Sequence, residues 1–170
     1  MEVLYVEGGE TVNEIEKIYV QHFQSVYRYV FSLCRNETTA EDVTSETFLK
    51  AIKAIDKFKG DCGVKVWLCQ IAKNTYFSLL KKTKGEAFLD FETEIESEVS
   101  DFTEKLLDKA SAFEIHRCLR GLEEPYKEVF SLRTFGELSF AEIAELFNKT
   151  ENWARVTYHR SKLKLKEALL

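Results

Sequence analysis

Apolar residues recur along most of the chain at the three- and four-residue spacing of an amphipathic helix, and strand-like alternation is rare. A single proline and seven glycines leave few positions that would interrupt such helices. The spacing predicts helices over roughly 13–35, 39–56, 66–82, 101–120, 124–135, 140–147 and 151–169. We therefore expect an all-α fold.

Local signals support several of these helix ends. Asn36 and its polar neighbours interrupt the first pattern and supply an N-cap for the second helix. Pro125 suits the first turn of a helix, because its missing N–H costs nothing there. Ser139 is expected to cap the short helix that begins at Phe140. Asn148 fills a turn position that needs a left-handed backbone, which Asn tolerates well.

Charged residues are distributed unevenly, although the net charge is only −5. Residues 85–115 carry 10 Asp and Glu against 2 Lys and Arg. Residues 1–84 carry 12 basic against 11 acidic side chains, and residues 116–170 carry 10 against 8. Two near-neutral blocks therefore flank an acidic strip, which indicates a linker. The predicted architecture is two small helical bundles, with domains at 1–83 and 102–170 joined by the acidic linker at 84–101.

The sequence carries no signal for a membrane span, a secretory signal, a metal site or a catalytic centre. It has no run of eighteen apolar residues, and its N-terminus lacks a basic segment followed by an apolar one. Its four cysteines are separated by 28, 7 and 49 positions, which matches no paired ligand motif. No nucleophile–base pair or phosphate-binding glycine loop is present. We therefore expect a cytoplasmic protein with reduced thiols that is not an enzyme and uses no metal or cofactor.

Residues 139–155 have the pattern of a helix-turn-helix, with the small Ala144 where the second helix must cross closely. On the last helix, small and apolar residues share one arc and basic residues share the neighbouring arc. A recognition helix presents its N-terminal residues to base edges and its cations to phosphates. The alternative is an ordinary C-terminal helix with a solvated basic face. The inward arc consists of Ala154, Tyr158, Ser161 and Leu165, and the basic arc of Arg155, His159, Lys162 and Lys166.

The helix predicted at 66–82 has a polar face that contains one aromatic ring. Amides, cations and an aromatic side chain together suit single-stranded nucleic acid, because bases stack on rings and cations hold the backbone. The alternative is that Phe77 packs against a neighbouring element. The preceding loop, 56–65, adds three lysines around two glycines. The polar face consists of Gln70, Lys73, Asn74, Phe77 and Lys81, and the loop lysines are Lys57, Lys59 and Lys65.

The helix predicted at 39–56 combines an apolar residue with charges on its outer face. Asp42, Glu46, Leu49 and Lys53 follow one another at helical spacing, opposite an inward face that includes Val43. A leucine within a charged stripe indicates a protein contact, in which the acids meet a basic partner. A solvated face with one exposed leucine is the alternative.

Four motifs in a fixed order carry a family resemblance. They lie at 40–48 (AEDVTSETF), 67–74 (WLCQIAKN), 122–130 (LEEPYKEVF) and at the helix-turn-helix that contains 142–144 (EIA). Through them the chain resembles the extracytoplasmic-function (ECF) group of bacterial sigma factors, over about residues 15–82 and 103–169. The resemblance implies a non-catalytic subunit that directs core RNA polymerase to specific promoters and is controlled by an anti-sigma factor.

The resemblance also implies roles for individual residues. The stripe Asp42, Glu46, Leu49 and Lys53 falls where such factors contact core polymerase, and the loop 57–65 falls where they hold a flipped base. The residues expected at the −10 element are Lys57, Phe58, Lys59, Lys65, Gln70, Lys73, Asn74, Phe77 and Lys81. Those expected at the −35 element are Thr150, Glu151, Asn152, Arg155, Val156, His159, Arg160 and Lys162.

Two other functions fit the same patterns. A stand-alone helix-turn-helix regulator would bind duplex DNA specifically and would need no contact with polymerase. A helical adaptor would bind only proteins, and the basic face of its last helix would merely be solvated.

Overall fold

The computed structural model describes residues 7–83 and 112–169 of the chain. Within these ranges the backbone forms seven α-helices and one short 3₁₀ turn, Ile55–Lys57, with no strand, so the predicted all-α fold is confirmed. The helices are α1 (Glu7–Cys34), α2 (Glu37–Ala54), α3 (Val64–Thr83), α4 (Ala112–Gly121), α5 (Tyr126–Thr134), α6 (Phe140–Phe147) and α7 (Glu151–Leu169).

Most helix ends lie within two residues of their predicted positions. The clearest difference is α1, which begins at Glu7 rather than near residue 13. Its first turns contain Gly8 and Gly9, which have low helix propensity, and they precede the regular apolar spacing. The predicted linker at 84–101 and the predicted helical segment at 101–111 lie outside the described residues.

The predicted caps at Asn36 and Ser139 are present. The Asn36 side chain accepts a hydrogen bond from the Thr39 N–H at 2.8 Å. The Ser139 hydroxyl accepts one from the Glu142 N–H at 3.2 Å, and the Glu142 carboxylate accepts one from the Ser139 N–H at 2.7 Å. These reciprocal bonds form a capping box, which fixes the start of α6.

The placement of Pro125 in the first turn of a helix was wrong by one residue. Pro125 lies immediately before α5, with φ −88° and ψ 3°, and Tyr126 is the first helical residue. Glu124, the residue before Pro125, caps the first turn of α5. Its carboxylate accepts a hydrogen bond from the Glu128 N–H at 3.1 Å.

Helices α1–α3 form the first bundle. Its core is built from the inward faces that the apolar spacing predicts on α2 and α3, packed on α1. Ala72 and Val43 are buried there together with the ring of Phe48. The buried core residues are Val26, Val30, Phe31, Ala40, Val43, Phe48, Ala51, Leu68, Ala72 and Tyr76.

Helices α4–α7 form the second bundle. Ala144 on α6 and Ala154 on α7 are both buried, so the two helices of the helix-turn-helix approach closely as predicted. The inward arc of α7 is also confirmed, because Ser161 and Leu165 are fully buried and Tyr158 is half-buried. Phe130 and Leu119 complete this core with Phe135 and Leu165.

The two bundles pack against each other, which the sequence patterns did not predict. Tyr29 of α1 and Cys69 of α3 belong to one buried apolar cluster together with Leu132, Leu138 and Ile143 of the second bundle. Each bundle therefore contributes part of its apolar surface to a shared interface. Every helix within residues 7–83 and 112–169 is too short or too polar to span a lipid bilayer.

Candidate nucleic-acid and protein interfaces

The turn between α6 and α7 sets the direction in which α7 runs. Asn148 has φ 52° and ψ 49°, the left-handed conformation that the sequence predicts for it. The Thr150 hydroxyl then accepts a hydrogen bond from the Trp153 N–H at 3.2 Å, so Thr150 caps α7. The Trp153 ring packs on Phe147 of α6, with ring centroids 5.2 Å apart. These contacts fix the direction in which α7 leaves the turn.

The residues predicted for the −35 element lie along the outer face of α7 and its cap. Lys162 is half-buried, with its ammonium 5.1 Å from the centroid of the Tyr158 ring. The remaining members are all exposed. The predicted set therefore lies along one face of α7, from its cap to Lys162. The exposed members are Thr150, Glu151, Asn152, Arg155, Val156, His159 and Arg160.

Arg155 is exposed and still makes two side-chain contacts. Its guanidinium forms an ion pair with Glu151, one turn earlier on α7. It also lies 5.1 Å from the centroid of the Phe140 ring on α6. A guanidinium above an aromatic face gains about 0.5–1 kcal/mol at an exposed site, which favours this orientation of the side chain. Phe140 is therefore a supporting residue that the sequence patterns did not single out.

Eight of the nine residues predicted for the −10 element divide into an exposed group and a half-buried group. Gln70, Asn74, Phe77 and Lys81 are exposed on α3, and 45% of the Phe77 side chain is accessible to solvent. The alternative in which Phe77 packs under a neighbouring element is thus disfavoured. Lys57 and Lys59, in the loop that precedes α3, are also exposed. The other group, Lys65 and Lys73, is half-buried against the second bundle.

The loop between α2 and α3 has an aromatic support. The rings of Phe58 and Trp67 stack with their centroids 4.6 Å apart, and both side chains are half-buried. Gly60 has φ +71°, a conformation that favours glycine, and the chain bends there. The stacked pair gives this lysine-containing loop a rigid base. The sequence motif at 67–74 contains Trp67 but gives no sign that its ring stacks on Phe58.

The stripe on α2 is exposed along its whole length. Asp42, Glu46, Leu49 and Lys53 are all exposed, and 53% of Leu49 is accessible. Glu46 forms an ion pair with Lys50 at 3.3 Å. Ile52, which is 43% exposed, places a second apolar side chain near Leu49. Two exposed aliphatic residues among charges are typical of a protein-binding face.

Buried histidines and thiols on the described residues are held neutral. Desolvation, together with the nearby Arg35 and Arg120, lowers the pKa of His116 to about 3. Burial lowers the pKa of His22 as well. Burial raises the pKa of the Cys69 thiol to about 12. Among the residues that the structure describes, no three His, Cys, Asp or Glu side chains are grouped to hold a metal ion.

Comparison with known proteins gives two family matches, one for each bundle. Residues 18–86 match Sigma-70 region 2, and residues 112–165 match Sigma-70, region 4. These segments contain the faces of α2 and α3 in the first case and the helix-turn-helix in the second.

Individual relatives match over nearly the whole chain. The RNA polymerase sigma factor YlaC of Bacillus subtilis (strain 168) is 28% identical over 158 residues, which is 91% of each chain. The ECF RNA polymerase sigma factor SigM of the same strain is 28% identical over 156 residues, covering 89% of this chain and 93% of SigM. Among solved structures, the sigma factor RpoE from Bartonella quintana, in complex with the anti-sigma factor NepR, has the same fold. It matches with a TM-score of 0.71 at 17% identity, covering 92% of this chain and 96% of RpoE.

Two helical bundles that match region 2 and region 4 in this order define a transcription initiation factor. The match to ECF factors extends through both bundles. The chain belongs to the ECF group of the sigma-70 family of RNA polymerase sigma factors. The resemblance found in the four sequence motifs is thereby confirmed.

Proposed function

We propose that this sigma factor acts without catalysis of its own and uses three separate faces to bring core RNA polymerase to its promoters. One observation carries the proposal: a protein-binding stripe on α2, a polar and aromatic face on α3 and a basic face on α7 are all exposed on one chain. The domains that divide this work are residues 1–83 and 102–170, joined by the acidic linker at 84–101. The action takes place in the cytoplasm, where polymerase and DNA are found.

The α2 stripe is the proposed contact with core polymerase. Leu49 and Ile52 would bury apolar area on binding, and Asp42 and Glu46 would meet basic side chains of the partner. Lys53 extends the stripe by a further turn. Because the stripe faces away from the core of the first bundle, polymerase can bind there without unfolding the domain.

The α7 face is the proposed reader of the −35 element. Glu151, Asn152 and Arg155 in its first turns are exposed, as the major groove requires of a recognition helix. Arg155 is the best candidate for a base contact, since a guanidinium donates two parallel hydrogen bonds to guanine O6 and N7. Arg160 and Lys162 lie further along the helix, where cations meet phosphates.

The loop at 57–65 and the exposed face of α3 form the proposed site for the −10 element. Unstacking a base costs a few kcal/mol, so melting needs a surface on which the exposed base can stack. The stacked Phe58 and Trp67 rings support the loop, and Phe77 offers an exposed ring on α3. Lys57 and Lys59 would hold the phosphates of the separated strand.

An anti-sigma factor is the proposed regulatory partner. RpoE from Bartonella quintana, which shares this fold, was solved with the anti-sigma factor NepR. A protein that covers the α2 stripe would compete directly with core polymerase. Leu49 and Ile52 would give such a partner an apolar anchor.

Reconstituted transcription tests the proposal. Transcript start sites mapped in cells that overproduce the protein define its promoters, and purified core polymerase is then supplied with the protein on those templates. We expect initiation from these promoters only when the protein is present. Tight, specific binding to the same duplexes without polymerase, and no stimulation of core polymerase, would support the stand-alone regulator instead.

A further inference from the structure

The outer face of α7 combines an apolar side chain with the polar groups of the proposed −35 reader. At about 100° per residue, Asn152, Val156 and His159 lie on the side of the helix opposite its buried residues. All three are exposed. Val156 therefore lies on the side of α7 that faces away from the rest of the protein. The buried residues of α7 are Ala154, Thr157, Ser161 and Leu165.

Neither core packing nor helix propensity explains a valine at position 156. The side chain is 39% exposed, and it belongs to none of the three buried apolar clusters that the described residues form. Valine is also a poorer helix former than alanine, because its branched Cβ loses rotamer freedom against the preceding turn. A reason for the valine must therefore come from a molecule that binds this face.

The neighbours of Val156 on α7 are side chains that can read base edges. Arg155 precedes it in the sequence, with its guanidinium beside Glu151 and the Phe140 ring. Asn152 lies one turn earlier and is exposed. Arginine matches guanine O6 and N7, and asparagine matches adenine N6 and N7. All of these α7 residues lie in its first two turns, the part of a recognition helix that meets base edges. Val156 therefore meets the base edges together with them.

The side chain of Val156 has no hydrogen-bonding group, so it can be buried favourably only against an apolar group. In the major groove, the C5 methyl of thymine is the apolar group that a base edge presents. The edges of the other bases carry hydrogen-bond donors and acceptors, which contact with valine would bury without a partner. Valine in a helix is held almost entirely in one rotamer, so this contact restricts the side chain little further.

We propose that Val156 determines specificity for the −35 element, through contact of its methyl groups with the C5 methyl of one thymine. Contact between the two apolar groups removes both from water. The protein therefore prefers an A·T pair at this position, with the thymine on one particular strand. This proposal rests on the proposed function for the assignment of α7 to the −35 element, and it names the base feature that Val156 reads.

Removal of single methyl groups from the promoter tests the contact. Each thymine of the −35 element, on both strands, is replaced in turn by 2′-deoxyuridine, which keeps the base pair and lacks only the C5 methyl. Initiation by the reconstituted holoenzyme, at a holoenzyme concentration below saturation, is compared on the thymine and deoxyuridine templates. For the wild type we expect one of these replacements to lower initiation about fourfold, because one buried methyl group is lost.

The substitution Val156→Ala should remove this response. Alanine lacks the two methyl groups that reach the base, so initiation by the variant should be equal on the thymine and deoxyuridine templates at that position. The slope of log K against log[salt] for promoter binding should be the same for the wild type and the variant, because no phosphate contact changes. An effect of Val156 on phosphate binding is thereby distinguished from the contact with thymine.

The substitution Leu163→Ala is the matched control. In the described part of the second bundle, Leu163 is the other large apolar side chain that is exposed, at 48%. It lies on the same side of α7 as Val156, about 10 Å further along the helix axis and beyond the first two turns. Leu163→Ala should keep the full response to deoxyuridine. Circular dichroism checks that both variants are folded.

Several outcomes would overturn the thymine contact. They are an equal response of the wild type to every template, the same response in Val156→Ala as in the wild type, an equal loss of response in Leu163→Ala, and mapped −35 elements that share no A·T pair. The proposed function stands in each of these cases if the wild type still initiates from the mapped promoters. Failure to initiate on the unmodified templates would overturn the proposed function, and the thymine contact with it.

Discussion

Replacement of Arg155 by alanine tests whether α7 reads bases. The side chain is exposed, so its loss leaves the core of the second bundle intact. The substitution would remove an exposed ion pair with Glu151 and a contact with the Phe140 ring. Such pairs contribute about 0.5 kcal/mol or less when exposed, and the ring contact contributes about 0.5–1 kcal/mol. The folded state should therefore survive with a small loss of stability.

The expected effect on promoter selection is larger than this loss of stability. A bidentate contact to guanine contributes about 1–3 kcal/mol of discrimination, which corresponds to roughly 5- to 150-fold. A phosphate contact contributes no discrimination and instead accounts for about 0.9 of the salt-dependence slope. The two roles therefore give different signatures in one experiment. Arg155→Lys separates them further, because lysine keeps the charge and lacks the two-pronged donor.

The assay measures initiation by the reconstituted holoenzyme on two templates that share a −10 element and differ in the −35 element. For Arg155→Ala and Arg155→Lys we expect the preference for the native −35 element to fall by about 5- to 150-fold. Lys166→Ala, which changes an exposed cation near the end of the same helix, should keep the preference. An equal loss on both templates, or a full preference in Arg155→Lys, would refute base reading by Arg155.

Three further predictions concern binding and stability. Asp42→Arg should abolish binding to core polymerase while the circular dichroism spectrum stays unchanged. Glu41→Arg, at the exposed neighbouring position, should bind polymerase nearly as well as the wild type. Equal polymerase affinities of the wild type and both variants would contradict the assignment of Asp42 to polymerase. Ser139→Ala should lower the free energy of unfolding of the second bundle by about 1 kcal/mol in urea denaturation, because it removes the acceptor of the capping box, whereas Ser139→Asp should keep most of this stability. Burial lowers the pKa of His116 from its usual 6.5 to about 3, so the unfolded chain takes up a proton below pH 6.5 that the folded chain does not. The free energy of unfolding should therefore stay constant above pH 6.5 and fall by about 2 kcal/mol between pH 7.5 and pH 5. His116→Phe should lack this part of the decrease. An identical pH dependence of the free energy of unfolding in both proteins would show that burial does not hold His116 neutral.

The helix-turn-helix was the part of the fold that sequence reasoning predicted best, because its signals are local. The capping box needs only the Ser139 and Glu142 side chains three residues apart. The left-handed turn needs only Asn148 after a helix. The outward face of α7 follows from helical spacing once Ala154 and Leu165 are placed inside. Each of these features depends on residues that are neighbours in the chain.

Supporting side chains were harder to predict than the faces that they support. Phe140 and Arg155 lie on different helices, and their contact depends on the angle at which α6 and α7 cross. Trp67 and Phe58 likewise come together only through the conformation of the loop between them, which bends at Gly60. Helical spacing describes one element at a time, so it gives no information about such pairs.

The packing of the two bundles against each other could be predicted only in part from the sequence of α3. The side of α3 that enters the core of the first bundle includes Leu68 and Ala72, and the polar face was assigned to nucleic acid. The helix nevertheless carries further apolar residues on its flank, Val66 and Cys69, and both are buried. A helix whose apolar surface is too wide for one partner must be covered on a second side. The width of this surface therefore indicated a second contact. It could not identify the partner, because Glu128 and Glu137 are distant in sequence and look like ordinary solvated acids until the fold places them against Lys73 and Lys65.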